Sequence, residues 1–326
     1  MKRLILTLLA LVGCLPGADQ LLILHKLDDS FGWYDAESGK PEAKVTVGRK
    51  PHEFALSVDE KFAYVTNYGA DSYTETQPGG NTITVIDLAA RKVVGEIDLG
   101  EYHRPHGIER GKSGRFYVTT DFPAALLELD PRKRKIVRAI ALSGKLPHMV
   151  QLTRDERKAW TANAGSGTVS IVDLANHKEI TQVEVGGVPM GFALTPDEKN
   201  LFVATRTNNL VVQVDAVANK LKRKLGVPGE PARLASSLDG RWIYVSLIGS
   251  GEVAVLNAHT QLEVRRAAAG PRAEGVRLTD DGQRLYVSAQ AENKVVEFTA
   301  PGLERVREIA TQAKPDPIYL LRERKR

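Results

Sequence analysis

Three of the chain's seven histidines stand directly after a proline, in "PHEF" at 51–54, "PHGI" at 105–108 and "PHMV" at 147–150. Neutral imidazole is a ligand for Zn, Cu, Fe or Ni, and a weak methionine neighbour shifts the preference toward copper. Three histidines with one open position suit a catalytic metal. The same residues can ligate haem iron or, when protonated, hold an anion. His52, His106 and His148 are therefore candidate metal or cofactor ligands, with His25 and Met190 beside them. A structural role is the alternative, because a histidine at the start of a strand also caps backbone groups, and duplicated segments inherit residues without sharing their work.

The histidines are positioned by a repeat. The phrase "P-x-x-hydrophobic-x-hydrophobic", then an acidic-basic turn, then an aromatic followed by Val, begins at Pro51, Pro105, Pro147, Pro189, Pro231, Ala273 and Pro315. The first interval is 54 residues and the rest are 42, so 12 residues are inserted in the first unit, within "GADSYTETQPGGN". Each unit reads as four short strands: "FALSV", "FAYVTN", "ITVIDL" and "VVGEIDL" in the first. Their β-branched and aromatic alternation is broken by charged or Asp-led turns. Four strands per 42-residue unit is the pattern of a β-propeller blade. No unit carries the helical periodicity that a parallel βαβ fold needs.

The seventh phrase, "PDPIYLLRERKR", supplies one strand and stops. The segments "LLILHK", "FGWYDAESG" and "AKVTVG" near the N-terminus supply the missing three. Six whole blades and one shared by both ends predict an all-β, seven-bladed ring over residues 20–326, acting as a monomer. Pairing between the chain ends closes such a ring and removes open sheet edges.

"AYVTN", "FYVTT", "IYVSL" and "LYVSA" resemble the signature of the YVTN family of seven-bladed β-propellers. The resemblance covers nearly the whole chain and implies an exported or surface-associated protein. Some members of that family are implied to bind nucleic acid or to serve as surface-layer repeats. Related propellers carry haem or copper, as in dissimilatory nitrite reductase and nitrous oxide reductase, and others open lactones. Fold alone does not choose among these.

In such a ring the histidines start innermost strands, on three adjacent blades, at the channel mouth we call the top. At this place the other blades have Met190, Ala232, Glu274 and Asp316. His25 ends a second strand and is expected to join them. Histidines from neighbouring blades of a wide ring are expected about 7–10 Å apart, too far for one ion at about 2 Å per ligand. Asn67, Asp121, Asn163 and Arg206, at second-strand ends, together with Glu274 and Asp316, are candidate ligand-binding residues on the same face. Asp87, Asp130, Asp173 and Asp215 precede turns and read as structural.

The opposite face is expected to be basic. Arg132, Lys133, Arg134 and Lys135, with Lys222, Arg223 and Lys224, read as turns between third and fourth strands. Such a patch suits anionic headgroups. It lacks the exposed aromatics that stack nucleic-acid bases, which ranks that partner lower. The first 18 residues, a basic start and an apolar stretch over Leu4–Val12, form an export-signal pattern too short to span a bilayer. "LVGC" ends on Cys14, the sole cysteine, which reads as a lipid acceptor or as part of a discarded signal.

The formal charge of +5 is too small to argue for nucleic acid by itself. No phosphate loop, dinucleotide fingerprint, nucleophile elbow or CxxCH is present. Three readings follow: an exported scaffold offering its top face to a small ligand or protein; a propeller linked to metal (Cu or Zn) or haem through its histidines; or a lactonase-like hydrolase. The first is not an enzyme, and it is the reading the sequence favours.

Overall fold

The computed structural model describes residues 19–322. The signal-like segment, Cys14 and the basic tail at 323–326 lie outside them. Seven four-stranded antiparallel sheets are arranged as seven blades. Blade one spans Pro51–Leu56, Phe62–Asn67, Thr82–Asp87 and Lys92–Asp98, and the 12-residue insertion falls in its loop at 68–81. Blades two to six repeat the plan from His103, Pro147, Pro189, Pro231 and Ala273. In blade seven Pro315–Leu321 is innermost and pairs with Gln20–His25, with Gln20 opposite Leu321 and Leu22 opposite Tyr319. Ser30–Asp35 and Pro41–Thr46 complete it, so the ring closes through both ends of the chain.

The strand patterns explain the layering. The middle strands are buried on both faces because each blade is sandwiched between two others. The outermost strands are largely exposed. Among the described residues seven apolar clusters each fill one seam between blades. The seam between blades three and four packs the fully buried Trp160 with Val203 and Val212. Truncating a side chain of that size in such a core typically costs about 3–5 kcal/mol.

The Asp-led turns are structural, as expected. The Asp173 carboxylate accepts the Asn176 amide at 2.9 Å, and Asp87 accepts Ala90 at 2.8 Å. Asp130 and Asp215 each accept two turn amides. Each turn takes four residues, the last in the left-handed region, as at Arg134 and Asn219. That length corrects one expectation. Lys222, Arg223 and Lys224 lie within the outer strand Lys220–Gly226, and Lys135 opens another outer strand, so only Arg132, Lys133 and Arg134 sit in a turn. The expected patch is split between a bottom turn of blade two and the perimeter of blade four. There Lys222 is partnered by Asp215 at 3.7 Å and Asn200 at 3.0 Å.

Candidate functional site

His52, His106 and His148 meet at the top of the channel, closer than the ring's width suggested. Adjacent ring centroids are 3.7 Å apart, His52 to His106 and His106 to His148, and the outer two are 6.1 Å apart. The physical reason lies one residue on. Gly107 has no side chain, and a Cβ there would meet the His148 carbonyl at 2.7 Å, so neighbouring innermost strands pack backbone to backbone. Second-strand hydroxyls fix the spacing. Thr66 donates to the His106 carbonyl at 2.9 Å and Thr119 to that of His148 at 2.8 Å.

The imidazoles form a tilted stack. His148 Nδ1–H donates to the Met190 carbonyl at 3.0 Å, which leaves Nε2 unprotonated. The Nδ1 atoms of His52 and His106 are buried with no hydrogen-bond partner, and His52 Nδ1 stands 3.7 Å from the Glu53 carboxylate. Burial keeps all three rings neutral: it lowers His148 to about 3, and the other two well below the ordinary imidazole value. Among the described residues no group of three His, Cys, Asp or Glu side chains is arranged to hold a metal ion. Adjacent rings are tilted by 41° and 38°, and the outer two stand at 78° to each other.

Beside the stack lies a buried charge network. Lys26 and Asp316 pair at 2.6 Å. Arg233 bonds Glu53 and stands 3.7 Å from Asp316. Burial pushes the Glu53 carboxyl up to about 7, against the pull of Arg233. Burial also acts upward on Glu274, but Lys26, Arg233 and Lys314 outweigh it and hold that carboxylate at about 2.

Above the stack is a cleft of about 140 Å³, roofed by the insertion at Ala70–Tyr73. Five cationic side chains line it, Lys26, Lys50, Arg206, Arg272 and Lys314, against two carboxylates, Asp71 and Glu274. Lys50 pairs with Asp71 at 2.6 Å and Arg206 with Glu230 at 3.1 Å. Among the described residues Lys314 and Arg272 make no ion pair. Burial and the nearby charge of Lys26 lower the Lys314 pKa.

Of the expected site residues, His52, His106, His148, Met190, Arg206 and Glu274 line this cleft, and Asp316 lies beneath it. Four others are placed elsewhere. His25 is sealed in blade seven, where Ser30 and Tyr34 engage its two ring nitrogens at 2.9 and 3.0 Å. Burial lowers its pKa to about 4. Asn67 is a buried clamp whose amide donates to Thr82 and Thr84, both at 2.9 Å, beneath Gly48. Asn163 repeats this with Thr168 and Ser170 beneath Gly144. Asp121 accepts the Tyr68 hydroxyl at 2.6 Å behind the insertion.

Sequence reasoning passed over the cations. Lys50, Arg104, Arg272 and Lys314 each stand one residue before the start of the repeated phrase, and all four have left-handed backbones. That conformation is uncommon outside glycine, and here it recurs at a single rim. The recurrence of a basic residue at this place was the available signal. Glu53 and Arg233 share the third place of the phrase, where glycine stands in three other blades.

Seven radial four-stranded blades define a seven-bladed β-propeller, and solved structures agree. The chain has a TM-score of 0.77 and 20% identity with Kuenenia stuttgartiensis hydrazine synthase, over 87% of this chain and 93% of that one. A functionally unknown protein from Desulfotomaculum acetoxidans gives 0.77 at 16% identity, over 94% of this chain and all of that one. The dihydro-heme d1 dehydrogenase NirN, in complex with DHE, gives 0.68 at 14%, over 93% of this chain and 76% of that one. No protein-family model matches the chain, and no curated protein matches it in sequence. The likeness therefore shows the fold, and the resemblance to the YVTN family stops there.

Proposed function

We propose that the protein is an exported propeller that binds a small anion at the top of its channel. The observation that carries this is the excess of cations on the cleft, five against two carboxylates, with half-buried Lys314 and exposed Arg272 both outside any ion pair among the described residues. Charges withdrawn from water are ordinarily paired, so half-buried Lys314 without an ion pair, on a cleft with three more cations than carboxylates, favours an anionic guest. The imidazole stack adds polar edges without charge. A cleft of about 140 Å³ is small beside the 300–1,000 Å³ of drug-sized sites, which points to a ligand of few heavy atoms and away from a tetrapyrrole. Export rests on the N-terminal pattern, and is tested by locating the native protein in cell fractions.

Calorimetric titration of the purified protein with phosphate, sulfate, acetate and malonate tests the reading. We expect one-to-one binding of at least one anion, weakened about tenfold or more in Lys314→Met, which corresponds to about 1.4 kcal/mol. No saturable binding of any of the four, or unchanged binding in the variant, would sink it.

A further inference from the structure

A second site lies on the opposite face, in the seam between blades one and two. A cleft of about 670 Å³ opens there, within the range of drug-sized pockets. Its floor is apolar: Phe62, Val85 and Tyr64, the last stacked on Phe116 at 4.4 Å. Its blade-two rim carries Arg115, Arg132 and Arg134.

Three other seams show how the equivalent space is filled elsewhere. Between blades three and four, Lys158 occupies the position equivalent to Phe62. It crosses to the next blade's turn and donates to the Ala216 carbonyl at 2.8 Å and to Asn219 at 3.0 Å. Between blades four and five, Gln213 and Gln261 bond across the gap. Between five and six, the buried Leu303 fills it. In the first seam Phe62 is too short and too apolar to bridge. The turn residue facing it, Arg134, crosses to blade one only at its outermost strand, donating to the Val94 carbonyl at 3.3 Å, which leaves the inner part of the seam open.

The rim charge is uneven. Arg115 is neutralised by Asp130 at 3.0 Å and Glu128 at 3.8 Å. Among the described residues Arg132 and Arg134 make no ion pair. Asp59, across the cleft, sits beside Lys61 at 3.7 Å. An aromatic floor rewards a flat ring, and a guanidinium rewards both a ring face and an acidic oxygen pair. We infer that the seam between blades one and two is a binding site for a small aromatic molecule bearing an acidic group.

The test uses 8-anilinonaphthalene-1-sulfonate, followed by fluorescence on the folded protein. One saturable site is expected, weakened about tenfold or more in Arg134→Gln, whose side chain is exposed and whose loss leaves the fold intact. Phe62→Lys, which copies blade three, should close the cleft and abolish the signal, with its fold checked by near-ultraviolet circular dichroism. Equal binding by wild type and Arg134→Gln overturns the site. So does equal binding of the uncharged N-phenyl-1-naphthylamine, which would remove the anionic half of the assignment. Equal displacement of the probe by octanesulfonate would remove the aromatic half and overturn it as well.

Discussion

Lys26 and Asp316 are separated by 290 residues and joined by a 2.6 Å ion pair in which both side chains are almost wholly buried. Lys26 follows the N-terminal strand of blade seven, and Asp316 lies in its C-terminal strand. The pair fastens the ring at its closing blade while helping to set the charge of the top cleft. Asp316→Asn would leave Lys26 buried without its partner and Arg233 with less compensation. Breaking one side of a buried pair costs about 3–5 kcal/mol. At about 2–4 °C per kcal/mol for a large domain, the melting temperature should fall by about 6 °C or more. A shift below about 2 °C in a thermal melt would show that the pair adds little.

Asn67 and Asn163 should behave as scaffold. Each satisfies two hydroxyls beneath a glycine of the preceding loop, so alanine there leaves buried polar groups unpaired. Asn67→Ala and Asn163→Ala are each expected to cost about 1–3 kcal/mol in chemical denaturation. Anion affinity at the top cleft should change less than about threefold. A large loss of affinity with stability intact would return these residues to the ligand site.

The ring was legible because its information is periodic. A 42-residue interval, broken only by the 12-residue insertion in the first unit, and an unfinished last unit determine blade number and closure. The convergence of His52, His106 and His148 was legible for the same reason. Their stacking was not, because it depends on Gly107 allowing two backbones to touch, and on hydroxyls in the neighbouring blade. His25 was misplaced because a residue at a top-facing strand end can still turn into its own blade, as Ser30 and Tyr34 make it do. The basic patch failed on counting: a four-residue turn ends one residue before Lys135 and before Lys220. Glu53 and Arg233 were hidden because the third place of the phrase, which they share, holds five different residue types across the seven blades.

Arg104 holds the insertion over the top cleft. It is fully buried, donates to the Glu75 carbonyl at 2.6 Å and also to that of Gln77, and its guanidinium lies over the Tyr68 and Phe122 rings. Its charge also stands 3.9 Å from Asp121, whose carboxyl burial pushes up to about 6. Arg104→Met keeps the apolar stem and removes the two carbonyl bonds. The loop should then open more often, and chymotrypsin should cut after Tyr73 about tenfold faster or more, at a protease level where cleavage follows the open population. An unchanged cleavage rate would mean that the Lys50–Asp71 pair alone holds the loop down.

Glu109 supplies a pH dependence whose sign is fixed by its surroundings. It lines an open cleft on the bottom face and accepts the Leu152 amide at 2.9 Å and the Gln151 side chain at 3.1 Å. Burial pushes its pKa up to about 8, above the 4.5 of a free glutamate. The folded protein therefore binds this proton more tightly than the unfolded chain does. The resulting stability is complete below pH 4.5, declines as pH rises and is gone above about pH 8. The full slope for one such group is about 1.4 kcal/mol per pH unit, and partial exposure of Glu109 to water narrows the pH window over which it acts. Glu109→Gln, which cannot ionise, should remove that slope. Urea denaturation of both proteins between pH 5 and 8 is the measurement, and the wild type should lose stability relative to the variant as pH rises. Parallel stability curves would mean that Glu109 ionises in the folded protein as it does in the unfolded chain.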